Sequence, residues 1–358
     1  AWPDPAVPHE QRVAEMVRLC EQIARDLPTL CGPGAGHPLE LGLRLHEHVC
    51  AGDRPPALAR AVCASPFDAA IHDAAGAALG VSAFALYDGP AEMPSAGPLL
   101  GPEPWRAVAE ALRPPRRRLR AWYVVGKDDA DEDLAPWVRD RGYRCFKIKL
   151  LARGADEDAA RTAEVYRMVR RLGARDVELS ADTNEANRDA EEVLDYLRHL
   201  RRIDGEAFAA LRYVEQPTPR DILRCPFDWR AVGRLKPVLL DEGLTGPELL
   251  PEALRQGYAG LALKTCKGHS FCLLAAAWAR RHGMKLALQD LTNPGLSMIH
   301  AALLAAHLET INDVELNSPQ FTPAANADWL PRLAGLFDPR GGVHQLPEGV
   351  PTGVGSRW

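Results

Sequence analysis

The feature that most constrains the fold of this chain is a regular alternation that begins near Arg120. Short apolar runs rich in Val, Leu and Ile alternate with longer amphipathic stretches rich in Arg, Glu and Ala. This pattern is typical of strands joined by helices around a parallel sheet. Eight strands are predicted, at residues 120–125, 144–150, 177–182, 211–215, 237–241, 260–264, 285–290 and 312–316.

Helices are predicted between these strands, at 156–172, 189–202, 246–256, 269–282 and 295–307. Eight strands with seven or eight crossovers in roughly 200 residues is the repeat of a (β/α)8 barrel. The alternative is an open doubly wound sheet, which needs a glycine-rich phosphate loop after an early strand. The glycine-rich stretch 32–36 follows a helical segment instead. An α/β barrel is therefore the predicted fold.

Residues 1–115 have a different pattern, which is mostly helical and interrupted by Pro and Gly. Its clearest helix is predicted to begin at Ser65-Pro66 and to end at Gly80, because Pro favours the first turn and Gly the end of a helix. We expect three parts: a smaller N-terminal domain at 1–115, the barrel at 116–330, and a Pro- and Gly-rich tail at 331–358 that packs back on the N-terminal domain.

Charge and cysteine usage exclude several classes of function. The net charge of -5 leaves no basic field for a nucleic acid, and we interpret the Arg cluster at 116–120 as a solvated linker. The eight cysteines form no C-x-x-C pair and no zinc-type spacing, which argues against a disulfide framework and a structural zinc. No stretch has the apolar length of a membrane span. We expect a cytoplasmic protein with neither nucleic-acid nor membrane partners.

The predicted strands end in charged residues, and the active site of such a barrel lies at the carboxyl ends of its strands. The third, fourth and fifth strands end at Asp182, Glu215 and Asp241. Converging carboxylates repel one another unless a cation is bound, and hard oxygen ligands suit Mg2+ or Mn2+. The alternative is a set of salt bridges to the chain's many arginines.

Lysines close two further strands. Lys147 and Lys149 end the second strand, and we expect only one of them to face the barrel interior. A neighbouring ammonium lowers the pKa of a lysine, which makes the amine a usable base near neutral pH. Lys264 ends the sixth strand, four strands further round, and so stands across the barrel mouth. The alternative is that the lysines merely neutralise the carboxylates.

These strand ends resemble those of the enolase superfamily, and within it the mandelate racemase and muconate lactonizing enzyme branch of lysine-lysine type. The resemblance implies a TIM-like (β/α)8 barrel of the modified β7α kind, preceded by an α+β capping domain. Residues 68–80 are similar to the helix that ends the family's capping domain. The motifs that carry the resemblance run in order through the barrel: Phe146-Lys147-Ile148-Lys149, Ser180-Ala181-Asp182-Thr183-Asn184, Val214-Glu215-Gln216-Pro217, Leu240-Asp241-Glu242 and Leu263-Lys264.

The resemblance also implies roles for individual residues. Asp182, Glu215 and Asp241 would bind Mg2+ or Mn2+. Lys149 would be the base on one face of the substrate and Lys264 its partner on the other, with Lys147 tuning Lys149. The remaining implied residues line the substrate or support the ligands: Asn184 beside the first ligand, Glu242 behind the third, Glu315 facing the substrate carboxylate, and Asp290 as a substrate contact.

The sequence departs from the family pattern in three places. No His ends the seventh strand, where Asp290 stands, so a His-Asp dyad of the mandelate racemase type is not expected. The Gly-Gly that often follows the lysine of the sixth strand is replaced by Lys267-Gly268-His269, where we interpret His269 as a helix start. The antiparallel strands that open the family's capping domain are not recognisable before residue 116.

The implied activity is Mg2+-dependent removal of the proton α to the carboxylate of a small-molecule substrate, through an enolate. Return of a proton from the opposite lysine gives racemisation or epimerisation, which we rank first. Cycloisomerisation of the muconate type and dehydration of an acid sugar are the enzymatic alternatives, because loss of a β substituent would give either. A barrel that binds metal or ligand without turnover is the non-enzymatic alternative. A symmetric homo-oligomer fits the resemblance.

Overall fold

The structure is a computed structural model that describes residue 2 and residues 4–358. Its main sheet has seven parallel strands in the order β2 to β8, so each strand pairs with the next one along the chain. A second sheet pairs β1 with β9 in antiparallel fashion. The strands are β1 Arg118–Arg120, β2 Trp122–Val125, β3 Cys145–Lys149, β4 Glu178–Asp182, β5 Leu211–Glu215, β6 Val238–Leu240, β7 Gly260–Lys264, β8 Lys285–Gln289 and β9 Val343–Gln345.

Helices precede, connect and follow these strands. Before the barrel lie α1 His9–Leu30, α2 Pro38–Cys50, α3 Ala57–Leu79, α4 Gly97–Leu100 and α5 Pro104–Ala111. The barrel contains α6 Asp131–Ala135, α7 Ala155–Arg171, α8 Ala190–Ile203, α9 Gly205–Ala210, α10 Arg230–Gly233, α11 Leu249–Arg255, α12 His269–Arg281 and α13 Leu296–His307. Two further helices follow, α14 Ser318–Phe321 and α15 Leu330–Phe337. The predicted barrel and its five predicted crossover helices are confirmed, with helix ends displaced by three residues at most.

Helix α8 illustrates how the sequence specifies a crossover. Asp189 caps its first turn by accepting hydrogen bonds from the backbone amides of Glu191 and Glu192, and Arg201 and Arg202 lie in its last turn. Acidic groups at the start and basic groups at the end of a helix both interact favourably with its dipole. One face of α8 is apolar and buried against the barrel, because its apolar residues recur at helical spacing: Val193, Leu194, Leu197 and Leu200.

The predicted eighth strand, 312–316, does not form. Only Glu315 bridges β8, at Gln289. The Asn312 side chain takes the place of a backbone partner, since its amide group bonds both the N and the O of Leu288 at 3.0 and 2.9 Å. Asp313 then adopts a φ of 56°, which turns the chain out of the extended conformation. The prediction of a full strand is wrong because this side chain and this turn interrupt the ladder.

Side chains close the barrel where the eighth strand is missing. The amide of Gln320 bonds the N and the O of Val124 on β2, at 3.0 and 2.8 Å. Asp313 pairs with Arg116 at 2.7 Å and with the side chain of Arg120 at 3.0 Å. These two members of the Arg cluster at 116–120 therefore hold the eighth position of the barrel against β1, in place of the solvated linker that we predicted.

The regular elements of the N-terminal part are all helices, and no strand lies in residue 2 or residues 4–115. The strands of the expected α+β capping domain are therefore absent from the part of the chain that the structure describes. Helix α3 starts at Ala57, earlier than predicted, and continues through Pro66. Pro66 cannot donate to the O of Val62, and the Oγ of Ser65 donates to it instead at 2.9 Å. Gly80, at φ 69°, ends α3 as predicted.

The N-terminal helices contact the barrel through Asp68 on α3. The carboxylate of Asp68 accepts hydrogen bonds from the N and the Oγ of Ser270, at 2.8 and 2.7 Å, where α12 begins. Gly42 lies so close to this contact that a Cβ atom would come within 2.1 Å of both side chains. Farther along α3, Asp73 accepts a hydrogen bond from the N of Val354, which brings the C-terminal tail onto the same helix.

Two global features complete the fold. All eight cysteines carry free thiols. Among the helices of the described residues, none combines the length and the apolar character needed to cross a bilayer.

Candidate active site at the strand ends

The carboxyl ends of the parallel strands bring the predicted site residues together. The register pairs Lys149 with Asp182 and Asp182 with Glu215, across β3, β4 and β5. Lys147 and Lys149 both reach Asp182, with Nζ–Oδ2 distances of 3.4 and 2.5 Å. The expectation that only one of these lysines faces the interior is wrong, because residues two apart on a strand share a face.

Lys147 lies among carboxylates from three parts of the barrel. Its Nζ donates to Oε1 of Glu215 at 2.7 Å and to Oε1 of Gln289 at 3.3 Å, and it lies 3.4 Å from Oε2 of Glu315. Burial lowers the pKa of Lys147, but Glu215, Glu315 and Asp182 outweigh burial and raise the pKa well above its usual value. Lys147 is therefore a fixed cation that links these acidic side chains.

Asp182 is held by the turn that follows β4. The N of Asn184 donates to Oδ1 of Asp182 at 2.7 Å, and the side-chain amide of Asn184 lies 3.4 Å from Oδ2. Asn184 and Glu185 adopt φ values of 49° and 70°, a strained conformation of the kind that clusters at functional sites. Burial raises the pKa of Asp182, but Lys147 and Lys149 outweigh burial and lower it.

Asp241 is contacted by two buried lysines. Lys264 Nζ donates to Oδ2 of Asp241 at 2.6 Å, and Lys267 Nζ donates to Oδ1 at 3.0 Å. The side-chain oxygen of Gln216 accepts a hydrogen bond from the N of Asp241 at 3.0 Å. Burial raises the pKa of Asp241, but Lys264 and Lys267 outweigh burial and bring it well below its usual value.

Glu215 is fully buried between the two aspartates. Lys147 contacts one of its oxygens, and the side-chain amide of Gln289 donates to the other. Burial raises the pKa of Glu215 to about 8; Lys147 opposes this rise, while Asp182 and Asp241 add to it. Glu215 is thus a carboxyl group that needs further positive charge nearby in order to ionise near neutral pH.

Glu242 and Glu315 bring further carboxylates to the same end of the barrel. Oε2 of each is buried and has no hydrogen-bond partner. Burial and the charge of Asp241 raise the pKa of Glu242. Oε1 of Glu315 accepts a hydrogen bond from the side-chain amide of Asn317 at 3.1 Å.

Asp290 follows β8 and lies apart from the lysine contacts described above. Its Oδ1 accepts hydrogen bonds from the N of Thr292 at 2.9 Å and from the N of Asn317 at 3.2 Å. Burial raises the pKa of Asp290 to about 7, although these two amides lower it and Glu315 raises it. Asp290 is therefore a buried carboxyl group directly after β8, and its pKa lies near neutral pH.

Comparison with known proteins gives the family. A family model described as enolase C-terminal domain-like matches residues 129–356, more than half of the chain. The chain belongs to the enolase superfamily, in its mandelate racemase and muconate lactonizing enzyme branch. Curated proteins provide no match to the sequence.

Solved structures of this superfamily share the fold. An enolase from Bradyrhizobium complexed with magnesium and mandelic acid is 20% identical, with 96% of this chain and 80% of that chain covered and a TM-score of 0.62. The muconate lactonizing enzyme from Pseudomonas fluorescens complexed with muconolactone is 22% identical, with coverage of 95% and 80% and a TM-score of 0.63. The N-succinyl Arg/Lys racemase from Bacillus cereus is 17% identical, with coverage of 94% and 79% and a TM-score of 0.62.

The lysines of this enolase superfamily member differ electrostatically from the sequence-based expectation. We predicted that neighbouring ammonium groups would lower a lysine's pKa. Burial does lower the pKa of Lys264, but Asp241, Glu242 and Glu215 outweigh burial and raise it. The pKa of Lys147 is raised in the same way. The prediction was made for the neighbouring pair Lys147 and Lys149, and it is wrong for Lys147 because the carboxylates around this lysine outweigh the nearby ammonium groups.

Whether these residues fit a divalent cation depends on their donors and charge. Within residue 2 and residues 4–358, no three Asp, Glu, His or Cys side chains stand grouped as a metal site. Lysine ammonium groups lie against the carboxylates instead. The donors nevertheless fit Mg2+, because all are hard oxygens and the neighbouring Glu242 and Glu315 each add a buried oxygen that has no hydrogen-bond partner. Acidic groups also outnumber ammonium groups: Asp182, Glu215, Asp241, Glu242, Asp290 and Glu315 against Lys147, Lys149, Lys264 and Lys267.

The sequence analysis missed three components of this region. Lys267 was noted only as a departure from a Gly-Gly pair, yet it contacts Asp241. Gln289, the last residue of β8, bonds Glu215. Arg220 pairs with Glu185 through both its backbone and its side chain, which joins the loops after β4 and β5. The signal for Lys267 was its position three residues after Lys264, which one helical turn brings back to the strand end.

Proposed function

We propose that this protein is a Mg2+-dependent racemase or epimerase that removes the proton α to the carboxylate of a small-molecule substrate. The observation that carries the proposal is the position of two lysines. Lys149 ends β3 and Lys264 ends β7, four strands apart in the sheet order. We therefore expect their amines to approach the barrel mouth from opposite sides, as exchange between the two faces of one carbon requires.

The proposed ligands of the cation, Mg2+ or Mn2+, are Asp182, Glu215 and Asp241. When bound, the cation supplies positive charge that stabilises the negative charge developing on the substrate carboxylate, without which an amine is too weak a base for this proton. The magnesium in the Bradyrhizobium structure supports the choice of Mg2+ as the cation. The chain itself holds the three carboxylates in fixed relative positions, because they lie at the ends of adjacent strands.

The two lysines have different surroundings, which suggests different roles. The Lys149 side chain is 33% exposed and donates to Asp182, so we assign it the face of the substrate that is open to solvent. The Lys264 side chain is 6% exposed, and we assign it the inner face. Lys147 holds Glu215 in place and adds positive charge beside Lys149.

Four further residues have supporting roles in the proposal. Asn184 orients Asp182 through its backbone amide. Glu242 contributes negative charge behind Asp241, and its unpartnered oxygen supports a place beside the cation. Glu315 and Asp290 face the substrate from the β8 side, where Asp290 offers a carboxyl group with a pKa of about 7.

We rank racemisation above the alternatives because of the end of β8. That strand ends at Gln289 and is followed by Asp290, so the chain has no histidine there to assist a departing hydroxyl group. Dehydration of an acid sugar would need such an acid. Cycloisomerisation of the muconate type needs one lysine only, so the requirement for the second lysine separates it from racemisation.

The test is exchange of the α proton in D2O, followed by NMR, with a panel of α-substituted carboxylates offered as single enantiomers. We expect wild-type protein with Mg2+ to incorporate deuterium with inversion. Lys149→Met and Lys264→Met should each block exchange from one enantiomer while exchange from the other persists. Net loss of a β substituent would instead favour dehydration, and absence of exchange in every substrate would favour a binding barrel without turnover.

A matched control separates chemistry from folding. Lys236 lies 4.4 Å from the ring centre of Phe208, outside the group of site residues. Lys236→Met also removes a partly buried lysine and should leave exchange from both enantiomers unchanged. If Lys149→Met and Lys264→Met slow both enantiomers by the same factor, the assignment of one lysine to each face fails.

We also propose a reducing, cytoplasmic environment, because all eight cysteines carry free thiols, five of them buried and three half-buried. Titration of thiols in unfolded protein prepared without reductant should return the full number. A lower number would contradict this location.

A further inference from the structure

Lys267 is a fourth lysine of the site and the sequence analysis assigned it no role. Its side chain is 1% exposed. Its Nζ donates three hydrogen bonds, to the backbone O of Asp241 at 2.7 Å, to Oδ1 of Asp241 at 3.0 Å and to the backbone O of Ala262 at 3.2 Å. An ammonium group has three donors, so every donor of Lys267 has a partner.

The neighbouring Lys264 is held much less firmly. Its Nζ donates one hydrogen bond, to Oδ2 of Asp241 at 2.6 Å. Two of its donors therefore remain for other acceptors, such as a substrate. Lys267 cannot move in this way without breaking three hydrogen bonds in a buried site, two of them to backbone carbonyl groups, which is costly. Oδ1 of Asp241 is therefore bonded by a lysine whose donors are all occupied, whereas Oδ2 is bonded by a lysine that has donors left for other acceptors.

We propose that Lys267 is a positioning residue that occupies Oδ1 of Asp241 permanently and keeps the cation affinity of the site low. The inference rests on the proposed role of Asp241 as a metal ligand. With Oδ1 occupied, Asp241 offers a cation only Oδ2. The fixed ammonium also repels a second positive charge at short range in a buried site, where such repulsion is strong.

The test is calorimetric titration of the full chain with Mg2+ alone, which needs no substrate and no turnover. Lys267→Met removes the charge at similar size, and Lys267→Gln keeps a hydrogen-bond donor without the charge. We expect both variants to bind Mg2+ roughly tenfold more tightly than wild type or better, because a repelling charge beside the cation is gone. Lys267→Arg keeps the charge and should keep the weak affinity.

Gln256→Met provides the control for lost packing. Gln256 is also buried and donates to a backbone carbonyl, that of Ile222 at 2.6 Å, so its loss should lower stability without changing Mg2+ affinity. Affinity in the Lys267 variants equal to or weaker than that of wild type would overturn the inference while leaving the proposed function intact. Absence of Mg2+ binding in wild type and in all variants, at millimolar Mg2+, would overturn both.

Discussion

Replacing Asp290 with Asn changes one atom of a buried strand-end carboxyl group and removes its charge. Asp290 is 4% exposed, and its Oδ1 accepts hydrogen bonds from the backbone amides of Thr292 and Asn317. The oxygen of an Asn side chain can accept the same two bonds, and the only contact it loses is the one between Oδ2 and the N of Asn317, which Oδ1 already shares. Asp290→Asn therefore isolates the cost of a buried negative charge from the loss of these contacts.

The size of this cost follows from the pKa. Burial raises the pKa of Asp290 from 3.8 to about 7. Between these values the folded state binds one more proton than the unfolded state, so stability falls as pH rises through this window. At about 1.4 kcal/mol per pH unit, the full cost is about 4 kcal/mol above pH 7. An Asn side chain has no such cost.

The assay is urea unfolding of wild type and Asp290→Asn at about pH 5 and about pH 8. The variant should be the more stable protein at both pH values, and its advantage should grow by about 3 kcal/mol between them. An advantage that is the same at both pH values would refute the assignment of a raised pKa. A variant less stable than wild type at the higher pH would show that the ionised carboxylate is favourable in the fold.

Two other predictions concern stability away from the strand ends. Burial lowers the pKa of His344 to about 4, so wild type should lose about 2 kcal/mol between pH 6.5 and pH 5 as the unfolded state gains a proton. His344→Asn, which can keep the hydrogen bond to the O of Leu336, should lose that much less in urea unfolding over this range. Asp68→Ala should lower the free energy of unfolding by about 3 kcal/mol, because it leaves the N and the Oγ of Ser270 without their buried acceptor and removes the carboxylate beside His72. Asp68→Asn should cost less, and equal melting temperatures for the two variants would contradict this.

The barrel and most of its strand ends could be predicted because the information is local. Apolar runs of strand length and their charged last residues stand side by side in the sequence, as in the stretch from Phe146 to Lys149. Parallel pairing of consecutive strands then gathers these ends at one edge, as the register of Lys149, Asp182 and Glu215 shows. Local pattern and topology together were sufficient here.

The eighth strand and the course of α3 could not be predicted in the same way. Both depend on side chains that replace a backbone partner: Asn312 bonds Leu288 in place of a strand, and Ser65 bonds the carbonyl that Pro66 leaves free. In each case the residue pattern favours one structure and a single hydrogen-bonding side chain permits another. A side chain that replaces a backbone hydrogen-bond partner can be identified only when the positions of the partner atoms are known.

The direction of the lysine pKa shifts could not be predicted from the sequence, for a different reason. The pKa of Lys264 depends on the sum of charges around it, and Asp241, Glu242 and Glu215 come from other strands. The nearest lysine in sequence, Lys267, turned out to share a carboxylate with it. A sequence shows which charges are present and leaves their distances open, and the sign of a pKa shift depends on those distances.

We propose above that carboxylates at the ends of three adjacent strands hold a divalent cation. The most direct measurement is thermal unfolding during a Mg2+ titration of wild type and of Asp182→Asn. A cation that binds only the folded chain must raise the melting temperature, by a stabilisation of about 2.7 kcal/mol at one hundred times the dissociation constant. We predict this rise in wild type and its loss in Asp182→Asn. An unchanged melting temperature of wild type at millimolar Mg2+ would contradict the claim and leave the lysines as the permanent partners of these carboxylates.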